Sequence, residues 1–420
     1  MVPWSLVALL STAQFLANAD RSMAAVVATD LRNRFALSDA QIGSLQGAPF
    51  IVGYLLALLC TSLRPFPWAP NRYMAFCVAT WTLGALGFAL SSGFGELLAS
   101  RLVLATGQAA FLPAAVILLD GGGPENRARA LSIFSASSAM GRSGGLLIGG
   151  LLLTTLTALA ASLAMGSPWR WTVAALLIPN LVVVWLLLRL TPAARFPTRS
   201  NGLPGVSARL VRENRRAIGW IAAAAGIIAI VQSVGAWAPA MLHRRYGLET
   251  GVSAVVVGVL TLTAAPLGHL LAGRWIARRG RGPDVALLLG GSVILAAAAA
   301  CLAAASSVFS LVLIGLGILI ATSGFGAAVA LIHFQRLVDR PDQRSANTVY
   351  FFVVTLVGTA AGPYLTGLVS DRLAPDGSGL AVAIAIVTAA AALLVWTALF
   401  LTRRDDPAAG ENGRTTGINL

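Results

Sequence analysis

Charged residues are scarce in this chain of 420 residues: they make up 11% of it, against 57% hydrophobic residues. A soluble domain carries about 25% charged residues, because water must wet its surface. The shortage excludes a water-soluble globular protein. It indicates that most of the outer surface faces lipid.

Other absences narrow the class further. The only three cysteines, Cys60, Cys77 and Cys301, lie within apolar runs, which excludes a disulfide framework or a cysteine metal site. We find no phosphate-binding glycine loop, nucleophile arrangement or metal-ligand spacing, so the sequence predicts no enzyme, no ATP-driven pump and no cofactor. Lysine is absent as well. The net charge of +14 comes from arginines that we assign to helix ends at one membrane face, not to nucleic-acid binding.

The chain has, instead, apolar runs of about 20 residues, the length that crosses a bilayer as a helix. The predicted fold class is therefore all-α integral membrane, with twelve transmembrane helices in two six-helix halves. The predicted spans are 3–29, 41–63, 73–92, 96–119, 131–156, 170–190, 217–240, 251–274, 284–305, 308–333, 345–370 and 378–402. A polar stretch with several arginines and prolines divides them. We predict an N-terminal bundle (1–190), a cytoplasmic linker (191–216), a C-terminal bundle (217–402) and a cytoplasmic tail (403–420).

The distribution of arginines predicts the orientation. If the N-terminus is cytoplasmic, the inner loops, the linker and the tail hold most of the arginines outside the spans. The outer loops then hold only Arg32, Arg34, Arg244, Arg245 and Arg372. Positive residues collect on the cytoplasmic side of membrane proteins. Both termini are therefore predicted to be cytoplasmic.

Ionisable residues inside a span are costly, and each is a functional hypothesis. Asp20 and Arg21 lie about two-thirds of the way along the first predicted span. Helical spacing places Gln14, Asn18 and Arg21 on one face, together with Ser11. Such a polar stripe is unstable against lipid, so this face is expected to look into a cavity or onto another helix.

Arg101 and Gln108 share one face of the fourth predicted span, and Arg101 lies at a depth comparable to Asp20 and Arg21. We predict that Asp20 carries the coupled proton, with Arg21 and Arg101 controlling its ionisation. Nearby arginine favours the charged carboxylate, and desolvation favours the neutral one. The alternative is a buried Asp20–arginine network that only holds helices together.

Three intramembrane arginines, Arg21, Arg101 and Arg142, face one intramembrane acid, Asp20. An anionic group on a substrate would supply the missing counter-charge. The alternative is that these guanidinium groups bind main-chain carbonyls or reach the membrane surface. We predict a substrate site that includes Gln14, Asn18, Arg21, Arg101, Gln108 and Arg142.

The spans of the second half are nearly uncharged. Gln232 and Trp237 in the seventh predicted span are its candidate substrate-binding residues. A polar wall in one half and an apolar wall in the other suit an amphipathic substrate. The glycines around Arg142 are interpreted as packing positions that let helices approach closely.

Several motifs, in order along nearly the whole chain, are similar to those of the major facilitator superfamily, and more narrowly to its bacterial spinster-like branch. These motifs are Asn18–Arg21, Ser38–Gly47, Arg101 with Gly107–Ala109, Pro124–Leu131, Pro168–Trp171, Trp237–Pro239 and Gly362–Asp371. The resemblance implies the twelve-helix rocker fold, alternating access and usually proton coupling. It also implies a bacterial inner-membrane location.

The chain departs from the pattern of that family at three places. The loop motif after the second span reads Ser62–Trp68 and lacks the family's acidic residue, and the equivalent position after the eighth span is Ala277. The acidic residue of the fourth span is replaced by Gln108, which cannot take up a proton. In that family the acidic loop residues brace the cytoplasmic side of the closed state. The acidic residue of the fourth span, unlike Gln108, can take up a proton.

Three functions remain open from the sequence. The first is a monomeric, proton-coupled exporter of a small amphipathic or anionic molecule, such as a lysolipid-like compound. The second is a broad drug or metabolite antiporter. The third is a transporter-like protein that binds a partner without transporting, which the lost acidic residues motivate.

Overall fold

The computed structural model describes residues 3–63, 69–119, 124–163, 166–190, 215–279, 284–338, 346, 349–350, 353–374 and 376–403. The described residues form helices and no strand. Residues 191–214 of the predicted linker, 404–420 of the predicted tail and 64–68 of the loop motif lie outside them. The domain boundaries therefore stay predictions.

Fourteen α-helices are described. They are α1 (Trp4–Val26), α2 (Ala28–Phe35), α3 (Asp39–Leu63), α4 (Pro70–Leu90), α5 (Phe94–Leu119), α6 (Pro124–Leu163), α7 (Pro168–Ala175), α8 (Leu177–Arg189), α9 (Arg215–Tyr246), α10 (Thr250–Arg279), α11 (Asp284–Ala305), α12 (Phe309–Arg336), α13 (Ala360–Leu373) and α14 (Leu380–Arg403). A π-helical turn, Val354–Thr359, leads into α13. Together these segments make the twelve spans of the predicted fold. Within the described ranges, nine helical segments are long and apolar enough by composition to cross a membrane.

Two predicted spans are each split into two helices. The first, predicted at 3–29, ends at Val26, and a short helix, α2, follows with a left-handed Ala36 at its end. The sixth, predicted at 170–190, is interrupted at Leu176, between α7 and α8. Pro179 explains this break, because proline has no N–H for the carbonyl of Ala175 and its ring crowds that carbonyl.

Three hydrophobic cores show how the halves meet. One core draws on the first half alone, from Val7 to Leu187. A second draws on the second half alone, from Ala217 to Leu399. The third is shared, because Met23 and Leu146 of the first half pack in one cluster with residues of α9, α10 and α14. The halves are therefore joined through one core and separate in the other two.

Two helix pairs make most of the contact between the halves: α3 packs on α13, and α6 packs on α10. Glycines allow both approaches. Gly43 faces the main-chain carbonyl of Pro363, and Gly150 faces the backbone of Gly251 and Val255. Neither glycine has room for a Cβ, so the backbones are as close as small residues permit.

Candidate functional site

Asp20 lies deep inside the first half and is 2% exposed. Its side-chain partner comes from the split sixth span: Asn180 Nδ2 donates to Asp20 Oδ2 over 2.7 Å. Asn180 is itself fully buried. The second carboxylate oxygen, Oδ1, is buried with no hydrogen-bond partner. Asp20 is therefore held by one neutral donor.

Arg101, 1% exposed, forms no ion pair with Asp20 within the described residues. Its guanidinium donates to three main-chain carbonyls. Nε bonds to Leu45 at 3.2 Å, Nη1 to Asp20 at 3.4 Å and Nη2 to Arg21 at 3.1 Å. Its positive charge still acts on the Asp20 carboxylate. Arg101 thus ties α5 to α1 and α3 and leaves the carboxylate itself unbonded to a cation.

Arg21 is half-buried and turns towards α5. Its Nη2 donates to Gln108 Oε1 at 3.4 Å, and its guanidinium stacks 3.8 Å from the ring centre of Phe50. Gln108 in turn donates through Nε2 to the carbonyl of Ala17 at 2.7 Å. The amide of Gln108 therefore joins α5 to α1 and orients Arg21. We call Asp20, Arg21, Arg101, Gln108 and Asn180 the Asp20 cluster.

Arg142 stands in the middle of the long helix α6, next to α1. Gly141 and Gly145 pack against the backbone of Phe15 and Ala19, and Ser22 Oγ donates to the carbonyl of Arg142 at 3.0 Å. The side chain of Arg142 is nevertheless exposed. Its charge acts on the charge of Arg21. Two cations on adjacent helices therefore face one region in the middle of the spans.

The remaining predicted substrate residues fall into two groups. Gln14 and Gln232 are half-buried and retain accessible surface. Asn18 and Trp237 are buried: Asn18 donates to the carbonyl of Gln14 at 2.9 Å, and Trp237 Nε1 to the carbonyl of Pro363 at 2.8 Å. In this conformation the ring of Trp237 packs onto α13 and faces no open space. Substrate binding by these four residues stays a prediction.

A second polar cluster lies where α3 begins and α13 ends, which we call the Asp39 end. Asp39 is fully buried, and Arg244 from the other half binds it bidentately, with Nη1 to Oδ2 at 2.7 Å and Nη2 to Oδ1 at 2.8 Å. Ser370 Oγ donates to the same carboxylate at 2.7 Å. Arg32 of α2 forms a second ion pair with it.

The connection at the Asp39 end is reciprocal. Asp371 of α13 accepts the first main-chain N–H groups of α3, from Asp39 at 2.9 Å and from Ala40 at 2.8 Å. A carboxylate at a helix N-terminus satisfies otherwise unpaired N–H groups and the helix dipole. Arg32, Asp39, Arg244, Ser370 and Asp371 form the Asp39 cluster. Each half thus supplies an acid that the other half binds.

Two acids outside the spans differ in pKa. Burial acts to raise the pKa of Asp39, but the hydrogen bonds and charge of Arg244, with Ser370 and Arg32, hold this pKa below its ordinary value. Burial raises the pKa of Asp30 on α2 to about 6, against smaller opposing effects of a backbone hydrogen bond and of His243. Asp39 is therefore held charged, and Asp30 titrates close to neutral pH.

No group of three or more His, Cys, Asp and Glu side chains that could hold a metal ion occurs in the part of the chain that the structure describes. The chemistry available at the two clusters is proton binding, ion pairing and recognition of anions by guanidinium groups.

Sequence reasoning missed Asn180 and the Asp39 cluster. Asn180 is a polar residue within the apolar run 172–188, and the rule that flagged Asp20 and Arg101 for their charge would have found it if extended to amides. The Asp39 cluster joins residues 205 positions apart, Asp39 and Arg244. Its signals were opposite charge at helix ends predicted to lie on the same membrane face, and the motifs Ser38–Gly47 and Gly362–Asp371, which contain three of its residues.

Comparison with known proteins agrees with this fold. The sequence model of the Major Facilitator Superfamily matches residues 10–340. The chain is 28% identical over 419 residues to an MFS-type efflux pump of Mycolicibacterium smegmatis, covering 96% of this chain and 94% of that protein. It is 23% identical over 411 residues to Protein spinster of Drosophila melanogaster, covering 90% of this chain and 64% of that protein. A bacterial homolog of the human lysosomal transporter spinster, solved in an inward-facing and unoccupied conformation, matches with a TM-score of 0.82 at 21% identity, covering 96% and 98% of the two chains.

Proposed function

The chain belongs to the major facilitator superfamily, and on this premise we propose that it is a proton-coupled secondary transporter that exports a small amphipathic or anionic molecule, such as a lysolipid-like compound. Two halves that rock about a site near the middle of the membrane alternate its access to the two sides. The observation that carries the proposal is the Asp20 cluster. It places a buried acid with one neutral partner beside arginines in the middle of the spans.

We place the protein in the bacterial inner membrane with both termini cytoplasmic. The Asp39 end then faces the outside. The shared core and the ion pairs of Asp39 join the halves at that end, whereas the other two cores each lie within one half. In this arrangement a substrate enters from the cytoplasm, and export requires the Asp39 cluster to separate.

Asp20 is the proposed proton carrier. A charged carboxylate in a dry interior is costly unless cations or several donors compensate it, and Asp20 receives a single bond from an uncharged amide. The nearby charge of Arg101 offsets part of that cost without bonding to the carboxylate. A shift of Arg101 relative to α1 would therefore change how strongly Asp20 holds a proton.

The arginine pair supplies the proposed site for the substrate's anionic group. Arg142 is exposed and Arg21 half-buried, and each acts on the other by repulsion. An anion between them would relieve that repulsion and gain charge-assisted hydrogen bonds. Gln14 of the first half and Gln232 of the second are the further candidate contacts, and the nearly uncharged second half would receive the apolar part.

A broad drug or metabolite antiporter is the second candidate. It is favoured by the 28% identity to an efflux pump along almost the whole chain. The range of ligands separates the two candidates, because a built anion site selects for a charged head group and a broad pump does not.

The test is a ligand screen on the purified full-length protein, read as thermal stabilisation. Lysolipids, fatty acids and uncharged drugs are compared at about pH 6 and about pH 8, which lie on either side of neutrality. Wild type is measured beside Asp20→Asn and Arg142→Gln. The matched controls are Asp376→Asn, an exposed acid, and Arg129→Gln, which lies on α6 near its start and stacks on Trp4.

We expect stabilisation by anionic amphipathic ligands that depends on pH in wild type and not in Asp20→Asn. Arg142→Gln is expected to weaken anionic ligands about tenfold, the value of one charge-assisted contact, and to leave uncharged ligands unchanged. Equal stabilisation by uncharged drugs would favour the broad antiporter. A pH dependence that survives in Asp20→Asn would contradict proton coupling through this residue, and no stabilisation by any ligand would favour a protein that binds a partner without transporting.

A further inference from the structure

The break in the sixth span determines where Asn180 lies. Pro179 interrupts the helix, and α8 restarts at Leu177, so that Asn180 falls in its first turn, with its N–H bonded to the carbonyl of Leu176 at 3.3 Å. The side chain of Asn180 is completely buried and touches Asp20 on α1. A local break thus brings an amide to Asp20, an acid within the first span.

The two side chains have an unusual hydrogen-bond balance. Asn180 Nδ2 donates to Asp20 Oδ2, but Asp20 Oδ1 and Asn180 Oδ1 are both buried with no partner. Buried polar atoms nearly always have a partner, so two unsatisfied acceptors in one contact need an explanation. Both are acceptors, and a single proton between the two groups would satisfy one of them.

An amide is a donor on one side and an acceptor on the other. Charged Asp20 can accept from Nδ2 of Asn180, as in this structure. Protonated Asp20 can donate its O–H to Oδ1 of Asn180. For this, the amide group of Asn180 makes half a turn about its Cβ–Cγ bond, so that Oδ1 and Nδ2 exchange places. The proton adds to one carboxylate oxygen of Asp20, and no other covalent bond forms or breaks.

We infer that Asn180 is the positioning residue that holds Asp20 in both of its protonation states, by reversing its amide as the proton arrives or leaves. The inference rests on the proposed role of Asp20 as proton carrier. A guanidinium at this place would bind only the charged carboxylate and oppose protonation. The neutral amide accepts both states, and Arg101 is kept off the carboxylate by its bonds to main-chain carbonyls.

The charged groups around Asp20 are few. Arg101 of α5 acts on it directly, Arg21 follows it on α1, and Arg142 of α6 faces Arg21. The charged groups and the histidine on α2, at the start of α3 and in the last turn of α9 lie at the Asp39 end; they are Asp30, Arg32, Arg34, Asp39, His243, Arg244 and Arg245. Arg215 and Arg216 lie at the other end of α9. A change at Asn180 therefore alters the hydrogen bonding of Asp20 without removing a charge near it.

The test measures the pH midpoint of the movement between the halves, with spin labels on α6 and α12 of the full-length protein in detergent. Asn180→Leu keeps the size and removes both hydrogen-bonding roles. We expect its midpoint to move to higher pH by about one unit, a tenfold gain in proton affinity, because a hydrogen bond to the charged carboxylate is worth more than one to the neutral acid. Asn180→Ser, whose hydroxyl both donates and accepts, is expected to keep the wild-type midpoint and guards against a leucine variant that does not fold.

Asn180→Asp provides the opposite change. Two carboxylates at this distance share a proton, so we expect two separate titration steps in place of one. Asn71→Leu is the control, because Asn71 also donates to a carbonyl in the first half, that of Leu190, but far from Asp20. It should leave the midpoint unchanged.

Asp20→Asn separates this inference from the proposed function. If Asp20→Asn abolishes the pH dependence and Asn180→Leu leaves the midpoint at its wild-type value, the role of Asn180 is wrong and that of Asp20 stands. If Asp20→Asn titrates as wild type does, or wild type shows no pH-linked movement, the proposed proton carrier is wrong and the role of Asn180 falls with it.

Discussion

Asp20 and Asp39 are two buried aspartates of the same half with opposite surroundings. Asp39 accepts from two guanidinium groups and a hydroxyl, and its partners come from both halves. Asp20 accepts from one neutral amide, which belongs to its own half, and keeps an unsatisfied oxygen. The comparison teaches that burial alone does not assign a role to an acid. The partners fix the charge of Asp39 and leave that of Asp20 free to change.

The largest expected difference is in stability. Asp39→Asn should lower the free energy of unfolding by about 3 kcal/mol, the lower end of the cost of breaking a buried ion pair and leaving a charge uncompensated. Asp20→Asn should leave stability unchanged or raise it, because it removes a buried charge that has one neutral partner. Thermal melts followed by tryptophan fluorescence at neutral pH measure both, with exposed Asp376→Asn as the control. Equal losses at Asp20 and Asp39 would remove the distinction.

A smaller effect is expected where the two halves touch without charge. Gly43→Ala places a methyl group against the carbonyl of Pro363 and should weaken closure of the Asp39 end by about 1–3 kcal/mol, the usual cost of overpacking. Gly273→Ala is the matched control, since Gly273 is also helical but has no atom near the position of its Cβ. Distances between spin labels on α3 and α13 report the closure. If both alanines leave those distances unchanged, close backbone contact does not hold this end.

The smallest effect concerns pH. The pKa of Asp30 is raised to about 6, so the folded state takes up a proton that the unfolded state does not, and stability should increase as pH falls through 6. Asp39, whose pKa is lowered, keeps its contribution until pH falls below about 4. Asp30→Asn should therefore remove the increase in stability between about pH 7.5 and about pH 5.5. We expect this increase to be about 1 kcal/mol or less in the free energy of unfolding after solvent screening, and melting temperatures across the range measure it.

This measurement is made in the Asp20→Asn background, so that the proton carrier does not contribute, and His243→Gln is measured beside it. An unchanged slope in Asp30→Asn would show that the titration comes from another group. If the change of melting temperature with pH disappears only in Asp39→Asn, then Asp39 and not Asp30 titrates in this range, which contradicts the assignment made here.

Hydropathy was sufficient to predict the all-α membrane fold and its spans, and the predicted superfamily is confirmed. The interruptions at Val27 and Leu176 were not predicted, because the mean hydropathy of an apolar run is the same whether its helix is continuous or broken. The sequence predicted only comparable depths for Arg101 and Asp20; in the structure Arg101 contacts the main chain of Asp20 and not its carboxylate. Main-chain carbonyls bind the guanidinium instead, and a sequence carries no signal for them because every residue has one.

Asp39 and Arg244 were both visible as charges outside the predicted spans, yet their pairing depends on how two halves dock. That docking is set by close contacts such as that of Gly43 with Pro363. Local patterns do not specify which helix of one half meets which helix of the other. The pairing in the Asp39 cluster was thus not predicted for a topological reason, whereas Asn180 was overlooked because it lies alone in an apolar run, with no charged or polar neighbour at helical spacing.

The three carbonyls that hold Arg101 have a consequence for biosynthesis. They belong to Asp20, Arg21 and Leu45, which are all translated before Arg101. When the fourth span leaves the ribosome, acceptors for its charge are already in the membrane. Asp39 has only Arg32 from the earlier part of the chain, since Arg244 and Ser370 are made much later. The first half can therefore assemble around Arg101 during synthesis, whereas the Asp39 cluster is completed only when the second half is inserted.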